Sequence, residues 1–205
     1  MAILIYTESE NGKYKKDSFE IASYAKVVAD KLKTSVTALS INADNPNELG
    51  NYGVNKVLNV SSDDLKDFNA AIYVDIIKQA YEKEGSNIII ISSSSNAKYL
   101  GSILSVKINA GYITNVINVP KEFDPVTVKR NSFTNKAFEY AKVNSKNTLL
   151  AISKNSHGII ENKTTTKIEN FEVSLISSDT NVKSTEKITN KVTIADAEIV
   201  VSGGR

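Results

Sequence analysis

A chain of 205 residues, 41% hydrophobic and 23% charged, can fill one core of fair size and a smaller second lobe. Its formal charge of +2 is spread out, with no block of Lys and Arg, which argues against nucleic acid or an anionic membrane as a partner. It has no cysteine, which excludes disulfides, thiolate zinc sites and cysteine nucleophiles. No apolar run is long enough to span a bilayer, so membrane insertion is not expected. The opening Met1-Ala2-Ile3-Leu4-Ile5-Tyr6 reaches Glu8 too soon for a secretory signal, so the expected location is cytoplasmic.

Ile3 to Tyr6 is an apolar run without turn residues, as in a central strand buried on both faces. Asn11-Gly12 predicts a small hairpin before the first helix. Asp17 followed by Glu20 resembles a capping box, and Ile21, Ala25, Val28 and Leu32 then form one helical face. Val36 to Ile41 and Lys56 to Val60 read as the next strands, separated by a loop holding Pro46, Gly50 and Gly53. Ala70, Val74, Ile77 and Tyr81 predict a helix stopped at Gly85. Ile88 to Ile91 is the clearest buried parallel strand, and it runs into Ser92-Ser93-Ser94-Ser95-Asn96. A helix carrying Leu100, Ile103, Leu104 and Ile108 should end near Gly111, with a strand over Asn115 to Val119.

After Pro120 the texture changes. Val126 to Arg130, Lys136 to Lys142 and Thr148 to Ser153 read as antiparallel strands, and Phe171 to Ile176 alternates like a half-buried edge strand. The expected fold is α/β: a doubly wound, mostly parallel sheet of Rossmann-like, adenine-nucleotide-hydrolase-like type, with an added antiparallel strand region. Residues 1–176 would form this domain, 177–194 a polar linker, and 195–205 the start of a second domain.

Five places could carry chemistry. The serine run lies at the carboxyl end of a parallel strand, where open α/β sheets bind ligands. It lacks a glycine-rich phosphate fingerprint, so a loop whose serine caps the next helix is the simpler reading. His157, the single histidine, sits in Asn155-Ser156-His157-Gly158 without a partner acid and reads as a surface-loop residue. Asp63, Asp64 and Asp75 read as helix-start and helix-face charges. Arg130, one of only two arginines, fits either a site needing a forked donor or an ion pair. Finally, Glu198 to Val201 reads as a strand entering Ser202-Gly203-Gly204-Arg205, a glycine turn that would let the backbone approach a pyrophosphate beside a fixed positive charge.

Together, Lys98 to Val116 with its Ala110-Gly111 junction, the opening Ile-Leu-Ile-Tyr, Asn51-Tyr52-Gly53-Val54-Asn55-Lys56-Val57 and the closing Val-Val-Ser-Gly-Gly-Arg resemble the alpha subunit of electron transfer flavoprotein. The likeness runs over essentially the whole chain and covers that family's N-terminal domain and the first residues of its flavin domain. Two stretches depart from the pattern. Arg130-Asn131-Ser132-Phe133-Thr134-Asn135-Lys136-Ala137 stands where the family has Arg-Pro-x-Tyr-x-Gly-Asn-Ala, and Asn96-Ala97-Lys98 replaces a Gly-Lys or Gly-Arg-Asp helix start. A divergent branch is expected.

The resemblance implies a non-catalytic scaffold domain of an electron carrier, docked on a beta subunit of similar fold. The whole protein would accept electrons from acyl-CoA dehydrogenases and other primary dehydrogenases, linking fatty acid beta-oxidation to a quinone-linked oxidoreductase. FAD would do the redox chemistry, and this stretch alone would not retain it. Arg205 matches the arginine expected to contact FAD, with Ser202, Gly203 and Gly204 as its supporting turn. The alternative left open is a stand-alone adenine-nucleotide-binding domain using Thr7 to Gly12 and Ser92 to Asn96.

Overall fold

The computed structural model describes residues 2–178, 180, 182–185, 194, 197 and 199–204. The chain opens with β1 (Ile3–Thr7), whose five residues are all buried. A hairpin of β2 (Ser9–Glu10) and β3 (Lys13–Tyr14) follows, turning through Asn11 and Gly12, both at positive φ. Then come α1 (Lys16–Leu32), β4 (Val36–Ile41) and β5 (Lys56–Val60). Helix α2 (Ala70–Glu84) starts at Asn69, whose side chain accepts from the Ala71 and Ile72 amides, and stops at left-handed Gly85. Strand β6 (Ile88–Ser92) leads to α3 (Ser95–Lys107) and β7 (Ala110–Val116). The short β8 (Glu122–Phe123), then β9 (Val126–Ser132), β10 (Ala137–Val143), β11 (Asn147–Ile152) and β12 (Lys167–Asn170) complete the series.

Among the described residues, ten of these strands form one sheet in the order β10-β9-β7-β11-β6-β1-β4-β5-β12, with β8 on β9. The stretch from β7 through β11, β6, β1, β4 and β5 to β12 is parallel, and β8, β9 and β10 add an antiparallel margin. Side chains alternate across a strand, so each buried strand supplies two cores. Ile3, Ile5, Val36, Ala38, Ile88 and Ile90 face α1 with Ile21, Ala25 and Val28. Leu4, Tyr6, Leu39, Leu58, Ile89 and Leu149 face α2 and α3 with Val74, Ile77, Leu100 and Leu104. Each fully buried Leu or Ile contributes about 1.5–3 kcal/mol. The expected doubly wound sheet with an antiparallel region is thus the observed fold.

Several local expectations are corrected. No side chain caps α1. Lys15 occupies the cap position, and Glu20 turns away to a distant loop instead of closing a box with Asp17. Helix α3 ends at Lys107, earlier than Gly111, because Asn109 at φ 50° turns the chain. The strand expected at Asn115 to Val119 therefore runs from Ala110 to Val116. Gly101 lets α3 lie against β7, since a Cβ there would run into the Tyr112 ring.

The largest correction concerns Thr148 to Ile152. These residues were expected in an antiparallel pair but lie parallel, inserted between β6 and β7, with Leu149 and Leu150 fully buried. A strand buried on both faces needs two neighbours, and that position supplies them. The sheet edge is Lys167–Asn170, not Phe171 to Ile176. Beyond Phe171, whose amide still donates to the Asn59 carbonyl, the chain leaves the sheet and lies along α2. There Gln79 donates to the Ser174 carbonyl and accepts from its amide, and Asn69 donates to Ser178. These side-chain amides take the hydrogen bonds a neighbouring strand would have made.

Candidate functional site

The order of the sheet places a switch point beside β1. From β1 the chain moves outward to β4 and β5, then returns through α2 to β6 on the other side. Ligands of open α/β sheets bind outside the carboxyl ends of strands at such a point. A crevice of about 950 Å³ lies there. The rings of Tyr6, Phe68 and Tyr73 line it together with Glu8, Glu10, Asp44, Asp63, Asp67, Lys15 and Lys66. Gly12 is required at its rim, because it has φ 78° and any Cβ would strike the Asp44 carboxylate. Burial pushes the Tyr73 hydroxyl up to about 12 and raises Tyr6 well above its ordinary value.

The two loops of the nucleotide-binding alternative meet in this crevice, but they meet on a side chain that sequence reasoning did not single out. Glu8, 6% exposed, accepts from the Ser92 hydroxyl at 2.7 Å and the Ser94 hydroxyl at 2.5 Å. Lys15 pairs with its other oxygen at 3.2 Å. The serine run therefore holds an internal carboxylate, and Ser94 also caps α3 by accepting from the Ala97 amide. Next to this cluster, Thr7, Ser40 and Tyr14 form a hydroxyl network across the ends of β1 and β4. Burial raises the Tyr14 hydroxyl to about 12.

A second buried carboxylate has the same character. Glu20 accepts from the backbone amides of Asn155 at 2.8 Å, His157 at 2.8 Å and Gly158 at 3.1 Å, fastening the loop after β11. His157 lies in a loop, as expected, but its ring turns inward onto the edge of Tyr24, 5.3 Å between centroids. Burial lowers its pKa, against an opposing pull from Glu20.

The remaining predicted residues separate. Asp63 and Asp64 open a short 3-10 turn capped by Ser62, and Asp75 on α2 lies 3.8 Å from Lys107. Arg130 pairs across β9 and β10 with Glu139 at 3.3 Å and donates to Thr114, so it is a sheet ion pair. Arg205 lies outside the described residues. Ser202, Gly203 and Gly204 are exposed, and a Cβ at either glycine would meet open space. Ile199 to Val201 are exposed and form no strand. No group of three or more metal-ligating side chains occurs among the described residues, and no described helix is long and apolar enough to cross a membrane.

The antiparallel margin offers a different surface. Strands β9 and β10 form a ribbon on which Phe138 is 64% exposed and Tyr140 62%, with Phe133 at the tip 75% exposed. Lys129 stands 4.3 Å over Phe138, Lys136 5.6 Å over Phe133 and Lys121 5.9 Å over Tyr140. Three large rings left in solvent under lysine heads resemble the aromatic anchors of protein interfaces.

Residues 3–176 match the model of the electron transfer flavoprotein domain. Protein FixB of Clostridium saccharobutylicum is 25% identical over 99% of this chain and 64% of its own length. Electron transfer flavoprotein subunit alpha of Bacillus subtilis is likewise 25% identical over 99% of the chain and 64% of its own, and that of Syntrophomonas wolfei 24% over 98% and 64%. The chain thus spans just under two-thirds of the length of these relatives. With its sheet, its helices and nearly all of its described body inside the matched span, the chain belongs to the electron transfer flavoprotein family and is of the alpha-subunit type.

Proposed function

We propose that this chain is the docking scaffold of an electron-carrying heterodimer, binding a beta-type subunit through the aromatic face of the β9–β10 ribbon. The observation that carries the reading is the exposure of Phe133, Phe138 and Tyr140 on one antiparallel margin of an otherwise well-buried sheet. The surrounding Lys121, Lys129 and Lys136 suit a partner with an apolar centre and an acidic rim. The names of the relatives, subunit alpha in two cases, support a partner of this kind.

In this reading the chain performs no catalysis alone and works in the cytoplasm. FAD belongs to the whole protein and would be enclosed by parts outside the α/β body, with Arg205 and its Ser202-Gly203-Gly204 turn completing a contact only in that setting. Acyl-CoA and other primary dehydrogenases would donate the electrons, and a quinone-linked oxidoreductase would receive them.

The test is to co-express the chain with the beta-type subunit of the same organism and separate the products by size. A one-to-one complex supports the reading. Two components that elute apart at micromolar concentration overturn it. The nucleotide-binding alternative is weakened by the Glu8 carboxylate standing where its two loops converge.

A further inference from the structure

The hydroxyl protons at the end of β6 have one place to go. Ser92 Oγ accepts from the Ser94 amide at 3.2 Å, and Ser94 Oγ accepts from the Ala97 amide at 3.0 Å. Each hydroxyl has a single proton to donate, and both donate to the same oxygen of Glu8, at 2.7 and 2.5 Å. The Lys15 ammonium reaches the second oxygen at 3.2 Å. Two hydroxyls and a cation thus converge on a small volume at the wall of the switch-point crevice, and a carboxylate fills it. Donors of this kind do not distinguish the oxygens of a carboxylate from those of a phosphate. The Glu8 backbone is fixed as well, its carbonyl accepting from the Lys15 amide at 3.0 Å and the Ser18 hydroxyl at 2.8 Å.

We propose that this is an anion site occupied by the chain's own Glu8, which makes Glu8 the residue that closes the crevice to phosphorylated ligands. The crevice itself strengthens the refusal. Glu8, Glu10, Asp44, Asp63 and Asp67 line it against Lys15 and Lys66, so a free phosphate or nucleotide would meet both a filled site and a negative field. The inference is independent of the docking role, because the crevice lies at the ends of β1, β4 and β5 and the ribbon at the opposite side of the sheet order.

The experiment compares the wild-type chain with Glu8→Ala and Glu8→Gln, using inorganic phosphate as the probe. Binding is read by calorimetry, and thermal unfolding is followed in phosphate and in chloride at equal ionic strength. Glutamine keeps an oxygen for the two hydroxyls, so Glu8→Gln and the wild type should both ignore phosphate. Glu8→Ala should bind it about tenfold or more tightly than the wild type, and its melting temperature should rise in phosphate by more than the wild type's does. Adding Lys15→Ala should remove the gain. If Glu8→Ala is too unstable to fold in chloride, its recovery in phosphate, abolished by adding Lys15→Ala, is the supporting result. Wild-type binding as tight as that of Glu8→Ala, or a Glu8→Ala chain neither bound nor restored by phosphate, would overturn the proposal.

Discussion

The parallel body and the antiparallel ribbon treat their side chains in opposite ways. In the body, strands such as β1 and β4 are buried at every residue, and carboxylates that enter are tied down, Glu8 by serines and lysine and Glu20 by three amides. In β10, the first four residues are exposed although two are aromatic. Burial in the body is self-sufficient, whereas the ribbon leaves apolar area uncovered. Stability and association should therefore separate in this molecule: damage to the body should unfold it, and damage to the ribbon should not.

The largest stability loss should follow Leu58→Ala, which opens a cavity between β5 and α2 and should cost about 2–5 kcal/mol in urea unfolding. Phe138→Ala should stay within about 0.5 kcal/mol of the parent in the same assay. Equal losses for the two would erase the distinction. Next comes Glu20→Ala, which deprives three amides of their acceptor and should cost about 1–3 kcal/mol, with faster hydrogen exchange at residues 155 to 158. Unchanged exchange there would show that the loop holds itself.

The pH effects are smaller and their signs differ in origin. The pKa of folded His157 lies below its ordinary value, so the unfolded chain takes up the proton first. Stability should be full above the unfolded value, about 6.5, and fall as the pH drops through it. His157→Phe should flatten that slope in melting scans between about pH 7.5 and 5.5. Glu169 is held down to about 2 by Lys83 and Lys56. Its contribution is present above the unfolded carboxylate value, about 4.3, and is lost as the pH falls toward the folded one. Hydrogen exchange at β12 should then rise before exchange at β1, and simultaneous opening would contradict this.

Much of the body was legible because local pattern suffices where a strand is buried on both faces. Val36–Ile41 and Lys56–Val60 coincide with the runs read from sequence, and Asn11-Gly12 makes its hairpin. Direction was less legible. Leu149 to Ile152 is a continuous apolar run like Ile88 to Ile91, and that likeness, more than its place after β10, signalled a central parallel strand. The two carboxylates were missed because their partners are remote: Glu8 meets serines 84 and 86 residues away, and Glu20 meets amides 135 to 138 residues away. A serine run signals an anion but not that the chain supplies its own. The exposed rings of the ribbon were visible only once pairing showed which side of β10 stays uncovered.

The most direct test of the docking claim is the affinity of a beta-type subunit for the wild-type chain and for Phe138→Ala/Tyr140→Ala, measured by titration calorimetry beside the melting temperature of each. An affinity lowered by about a hundredfold at an unchanged melting temperature is the predicted result. Equal affinity for both chains, with both folded, would show that the ribbon is not the docking face.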